Sequence, residues 1–161
     1  MPFYLKVISK RLSTEEGFTL LELLICVIII GILSSIALPS FLNQTAKAKE
    51  TEAVMNARTY ITAQSAYRLE NGEFSQDLNQ LDLAQESSNY SYEIQSTEQQ
   101  SKLVANPKSK DLKAIAAGVA TVNDSLISGV CKAGSAGKEV NLDELSFGNR
   151  QVRCGKGLKK L

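Results

Sequence analysis

Few side chains in this 161-residue chain have the type and setting to do chemistry, and the most conspicuous is Glu22. From Phe18 to Leu38 it is the only charged residue, set near the start of the run GFTLLELLICVIIIG. A carboxylate in hydrocarbon is unfavourable by at least a few kcal/mol, so a buried Glu22 requires a partner. The adjacent acids Asp143-Glu144 and the Glu50/Glu52 pair lie in polar surroundings and read as solvated surface rather than as general acid and base. There is no histidine, which excludes histidine triads, imidazole metal ligands and histidine bases. A G-x-x-x-x-G-K-[ST] phosphate loop is also missing from the sequence. We therefore expect no enzyme activity, no cofactor and no metal.

The elements that must position Glu22 follow from patterning. About 20 residues of helix cross a bilayer core, and the run from Phe18 to Leu38, with Phe41 and Leu42 beyond it, is long enough. A secretory signal peptide would have a shorter apolar region, although Ser35-Ile36-Ala37 could imitate its cleavage site. A plain single-pass anchor explains the length but not the acid. Lys6, Lys10 and Arg11 precede the run and favour a cytoplasmic N-terminus, a bias weakened by Lys47, Lys49 and Arg58 on the far side. Gly31 and Pro39 punctuate the span and bracket Ile32 to Leu38 as the segment expected to kink or melt. Cys26 reads as a small hydrophobe.

Beyond Pro39, the stripe Ala53, Ala57, Tyr60, Gln64 and Tyr67 recurs at three- and four-residue steps, with Val54, Ala57 and Ile61 beside it. This predicts an amphipathic helix over 40–69 with Lys47, Lys49, Glu50, Glu52 and Arg58 on its solvated surface, stopped by Asn71-Gly72. A short helix capped at Ser75 is expected to carry Leu78, Leu81 and Leu83. Alternation at Tyr90, Tyr92 and Ile94 predicts a strand, and 102–106, 113–122 and 126–132 predict three more, with breaks at Pro107 and Asn123-Asp124. The implied fold is α+β, a long helical spine packed on an antiparallel sheet.

The formal net charge of +1 conceals an uneven distribution: acids dominate from Ser40 to Gln100 and bases from Ser101 onward. The basic end, Gly155 to Leu161, reads as a solvated, frayed tail. The alternative is electrostatic contact with DNA phosphates by Arg150, Arg153, Lys156, Lys159 and Lys160, although no aromatics interleave there. Cys131 and Cys154 are the cysteines outside the apolar run, and an oxidising compartment would allow them to pair.

Gly17-Phe18-Thr19-Leu20-Leu21-Glu22 followed by the apolar run resembles the processing site and N-terminal helix of type IV prepilins and pseudopilins. The strong match covers about a third of the chain, and Glu15-Glu16 stand where relatives commonly carry basic residues. Stretches 67–74 and 89–92 are also similar to pilin-like proteins often seen in cyanobacteria. The resemblance implies a leader peptide at 1–17, an apolar transmembrane and filament-core helix at 18–42, and a globular domain at 43–161. It implies that prepilin peptidase cleaves after Gly17 and methylates the new amine of Phe18. Glu22 would then pair with the Phe18 amine of a neighbouring subunit, and Gly31 and Pro39 would flank a segment that melts in the filament.

The family commonly staples its C-terminal loop, which implies a Cys131–Cys154 disulfide contributing roughly 3 kcal/mol. Implied partners are other pilin subunits and an inner-membrane assembly platform powered by a separate ATPase. The implied location is the inner membrane, N-terminus in the cytoplasm, and then an extracellular filament serving twitching motility, adhesion or DNA uptake. A secretion-system pseudopilin and a minor DNA-binding pilin are the alternatives.

Overall fold

The computed structural model describes residues 18–148 and 151–161. The expected leader, 1–17, with Gly17 and the flanking Lys6, Lys10 and Arg11, lies outside the described residues, as does Arg150. Two compact units divide between Ser40 and Phe41.

The first unit holds the apolar part of helix α1 (Leu20–Asn71). Its apolar side chains are exposed throughout, from Leu20 to Leu38. Pro39 is accommodated inside the helix, where its ring leaves the Ser35 carbonyl without the usual donor four residues on.

The second unit begins with the remainder of α1. Its buried face is Glu50, Ala53, Ala57, Tyr60 and Gln64, the expected stripe extended one turn towards the N-terminus. Gly72 ends the helix at φ +79°, a left-handed conformation that glycine adopts at no steric cost. A single 3-10 turn follows at Leu78–Leu81. Its cap is Asp77, whose carboxylate accepts the Asn79 N–H at 3.0 Å. Ser75 does not cap that turn; its hydroxyl accepts the Asp77 N–H at 3.1 Å and donates to the Asp77 carbonyl and the Gln80 side chain.

Seven strands complete the unit: β1 (Tyr90–Ser96), β2 (Gln100–Pro107), β3 (Ile115–Val122), β4 (Ser125–Ala133), β5 (Leu145–Gly148), β6 (Gln151–Cys154) and β7 (Leu158–Lys160). The first four and β7 form one antiparallel sheet in the order β1-β2-β3-β4-β7. The β3–β4 hairpin turns on Asn123 (φ 50°) and Asp124 (φ 55°), two successive left-handed residues as a two-residue hairpin requires. Pro107 closes β2, opposite Tyr90.

One sheet face packs on α1. Tyr90, Tyr92, Leu103, Ala105, Ile115, Ala117 and Val130 meet Ala53, Ala57 and Tyr60 there. On the other face lies a layer that the sequence reading did not anticipate, the β5–β6 hairpin, which covers Val104, Ala116, Cys131 and Ala133 with Leu145 and Val152. Because β2 and β3 are covered on both faces, they read as continuous apolar runs rather than as alternating ones. Gly118 and Gly129 are cross-strand partners that form the floor beneath this hairpin. A Cβ on Gly129 would meet the Val152 Cβ at 2.9 Å, and one on Gly118 would meet the Phe147 ring at 2.6 Å.

The Gly155–Leu161 end is not frayed along its length. β7 pairs with β4, Leu158 is buried, and the Leu161 N–H donates to the Val130 carbonyl at 3.0 Å.

Candidate functional site

Two local constructions could carry function: the start of α1, and the charged and cystine-bearing surface of the sheet unit. They belong to separate units and are considered in turn.

At the helix start, Thr19 precedes the first helical residue, Leu20, and Glu22 sits three residues on. Glu22 Oε2 accepts the Thr19 N–H at 3.2 Å and the Thr19 hydroxyl at 3.1 Å. In return, the Glu22 N–H donates to Thr19 Oγ1 at 3.2 Å. This is a reciprocal capping box, which satisfies backbone donors that the first helical turn leaves open and places a negative charge at the positive end of the helix. Glu22 thus has a partner within its own chain, an arrangement that the T-x-x-E spacing could have disclosed. All three bonds use Oε2 or the backbone, and Oε1 accepts no hydrogen bond among the described residues.

Downstream, a Cβ built on Gly31 would meet nothing within 4 Å, so no contact in this chain demands a glycine there. Ser35 donates its hydroxyl to the Ile32 carbonyl at 2.7 Å, inside the segment bracketed by Gly31 and Pro39. Such back-bonding competes with the helical ladder. Cys26 is a free, exposed thiol on the same apolar helix.

In the sheet unit, Cys131 on β4 and Cys154 on β6 form a disulfide with a Cα separation of 5.9 Å. It ties the β5–β6 hairpin to the sheet beneath. Arg153 on β6, Lys156 in the turn after it, and Lys159 and Lys160 on β7 are exposed. They do not make one patch. Lys159 pairs in register with Lys132 and Lys160 with Cys131, so the two lysines project to opposite faces of the sheet.

Glu50 is not on the solvated surface. It is 4% exposed, accepts the Lys113 N–H at 3.2 Å and pairs with Lys132 Nζ at 2.5 Å, fastening α1 to β4 and to the segment that leads into β3. Glu52 is exposed as expected.

A second buried fastening joins the helix end, the following loop and the first two strands. Gln64 donates to the Ser75 carbonyl at 2.9 Å and to Ser101 Oγ at 3.0 Å, while its carbonyl accepts the Ser75 N–H at 3.0 Å. Tyr60 and Ser96 each share a 2.5 Å hydrogen bond with Ser101. Burial lifts the Tyr60 phenol to about 12 despite these bonds. Burial, reinforced by the nearby Glu50 carboxylate, also raises that of Tyr90. Both phenols belong to the packed core between α1 and the sheet. Among the described residues no group of three or more Cys, Asp or Glu is placed to hold a metal.

The described residues thus present a capped apolar helix with no internal cover, and a cross-linked sheet unit. Residues 46–155 match the family described as type IV pilin-like G and H, and residues 12–38 match the prokaryotic N-terminal methylation motif. The chain is 35% identical over 128 residues to the type IV major pilin protein PilA of Myxococcus xanthus, covering 78% of this chain and 57% of that one. It is 38% identical over 76 residues to the type IV major pilin protein PilE of Neisseria gonorrhoeae, covering 47% of this chain and 46% of that one. To the type II secretion system core protein G of Vibrio cholerae it is 37% identical over 62 residues, covering 38% and 42%. The chain therefore spans little more than half the length of the first of these relatives and less than half of the other two. A family match running through the sheet unit, joined to a methylation motif at the capped helix, makes this chain a member of the type IV pilin family.

Proposed function

We propose that the chain is a structural subunit of a type IV pilus, with no catalytic role. The observation that supports this most is the helix start. A carboxylate held by Thr19 introduces a segment whose most apolar 18 residues bury nothing within the chain. That segment is long and apolar enough to cross a membrane. An uncovered apolar helix of this kind is accommodated either by lipid or by the same helix of other subunits.

In this reading prepilin peptidase cuts after Gly17 and the new Phe18 amine is methylated, with the N-terminus on the cytoplasmic side and the sheet unit in the periplasm. Cleavage puts a cation one residue from the Thr19 N–H that Glu22 already accepts. Glu22 Oε2 keeps the helix start in place while Oε1 is left for the Phe18 amine of a neighbouring subunit. Joining the two ions relieves the desolvation that either would suffer alone in apolar surroundings. The pairing sets the axial position of one subunit against the next. Melting between Gly31 and Pro39 then lets the filament stretch, aided by the missing N–H donor at Pro39. The assembly platform and its ATPase are separate proteins, and the filament serves motility, adhesion or DNA uptake.

A second reading is a secretion-system pseudopilin, favoured by the similarity to the secretion core protein G of Vibrio cholerae. Mass spectrometry of sheared surface filaments tests the first reading. It expects a mature chain beginning at methylated Phe18, whereas an intact Met1 or a start at Leu38 rejects it. Long surface filaments at native expression distinguish the pilus from a pseudopilus, whose fibre remains short.

A further inference from the structure

On the side of the sheet away from α1, the covering layer stops short of β1. Val104 and Ala116 are buried beneath it, whereas Glu93 and Gln95 on β1 are exposed. The step so formed is a cleft of about 680 Å³, a size typical of small-ligand sites, which run from about 300 to 1,000 Å³. Its floor is Ser91 and Glu93 of β1 with Asn106 of β2, and its far wall is the segment from Gly137 to Leu142. The floor residues alternate with Tyr90, Tyr92 and Ala105, which face α1.

The walls are tied together at one end. Gly137 donates its N–H to the Leu112 carbonyl at 3.0 Å, at a φ of +69° that suits glycine. A Cβ there would meet the Lys110 carbonyl at 3.1 Å, so the two loops approach as closely as a glycine allows. The cleft is therefore part of the fold rather than a gap between loose segments.

Its polar groups are incompletely used. Asn106 Oδ1 is buried without a hydrogen-bond partner among the described residues, a condition that calls for an occupant. The Asn106 side chain lines the cleft, and a turn of its terminal amide presents that oxygen to a ligand. Asn141 stands at the cap of the Leu142–Glu144 turn, yet its side chain makes no capping bond. Two of the lysines along the cleft are engaged elsewhere: Lys108 pairs with Glu86 at 2.5 Å, and Lys138 with Glu144 at 3.4 Å and the Lys156 carbonyl at 3.0 Å. Glu93, Glu139 and Lys110 are exposed and make no salt bridge among the described residues. Two free carboxylates against one free ammonium disfavour an anion. Carboxylates that accept pairs of hydroxyls, beside amides that both donate and accept, suit a hydroxyl-rich ligand.

We propose that this cleft binds an oligosaccharide of neutral or amino sugars. Hydrogen bonds exchanged with water contribute little net, so one copy holds a short oligosaccharide with a Kd of about 1 mM. A polysaccharide long enough to reach several copies in a filament gains about a hundredfold from multivalency. Only this last part rests on the filament reading.

Saturation-transfer NMR on sheared filaments of the full chain tests it, with the tetramers of glucosamine, N-acetylglucosamine and galacturonic acid as probes. One or both of the first two receive saturation and the third does not. Glu93→Ala with Glu139→Ala, both at exposed positions, weakens the bound tetramer about tenfold or more at unchanged filament yield, and Asn141→Ala weakens it about threefold. Transfer to none of the three, equal binding of the galacturonate tetramer, or parental affinity in the double variant would each overturn the proposal. If the chain displays no filaments, the pilus reading and the multivalent gain fail. The same titration of the detergent-solubilised chain then decides the cleft by itself, with the same outcomes for and against.

Discussion

The capping box at Thr19–Glu22 permits a separation of two roles that a single alanine substitution would confuse. Glu22→Gln keeps an amide oxygen able to accept from Thr19 but removes the charge. Glu22→Ala removes both. Thr19→Val keeps the charge and removes the two hydrogen bonds that use the threonine hydroxyl, at 3.1 and 3.2 Å. Loss of a cap of this kind costs about 1 kcal/mol, equivalent to about a fivefold change in an equilibrium at 1.4 kcal/mol per tenfold. Leaving the Phe18 ammonium desolvated without its carboxylate costs about 3 to 5 kcal/mol, or a hundredfold and more. Ion pairing thus predicts that Glu22→Gln fails to assemble nearly as completely as Glu22→Ala, while Thr19→Val loses less than about tenfold. The assay is filament yield by shearing, normalised to the processed subunit, with cleavage unaffected in all three. Normal filaments from Glu22→Gln would refute the pairing argument. Equal failure of Thr19→Val and Glu22→Ala would shift the role of Glu22 to helix initiation.

Three predictions concern the sheet unit. Replacing Cys131 and Cys154 by alanine opens a loop of sequence separation 23 and lowers stability by about 3 kcal/mol; hydrogen exchange should quicken most in β5 and β6, and unchanged protection there would show that packing alone holds the hairpin. Glu50→Ala strands Lys132 and should cost about 3 kcal/mol in denaturant unfolding, whereas Glu50→Leu with Lys132→Met should recover most of it; a double variant no more stable than the single one would contradict this account. Tyr60, lifted to about 12, and Tyr90, also raised, stay protonated when folded but ionise when unfolded near the ordinary value of 10. The folded state then binds more protons, so their contribution to stability is full below pH 10 and declines as pH rises towards 12. The thermal midpoint of the detergent-solubilised chain should fall across that window, and phenolate absorbance from both residues with the fold intact would disprove it.

Much of the architecture was legible because the signals were local. The stripe from Ala53 to Gln64, the Asn71-Gly72 stop, the alternation at Tyr90, Tyr92 and Ile94, and the Asn123-Asp124 turn each report the backbone within a few residues. The misreadings lie where distant residues decide. Glu50 looked solvated because its partner, Lys132, lies 82 positions further along the chain, on β4. Ser75 resembled a cap because its true engagement with Gln64 crosses from loop to helix. The strands β5, β6 and β7 are four, four and three residues long. They escaped notice because so short a segment acquires its conformation from the sheet or hairpin it joins rather than from its own propensity.

By itself the sequence determined the capped apolar helix with its single acid, the family to which the motif points, and the segregation of acidic from basic residues along the chain. These are properties of composition, spacing and order, which survive without any knowledge of distance. Only the tertiary structure decided that Glu50 meets Lys132, that Cys131 and Cys154 come within bonding reach, and that β1 and β7 are the two outermost strands of one sheet. The reason is that strand order, unlike helix periodicity, is a long-range pairing choice: it placed β7 beside β4 rather than beside β1, which no local pattern of residues announces.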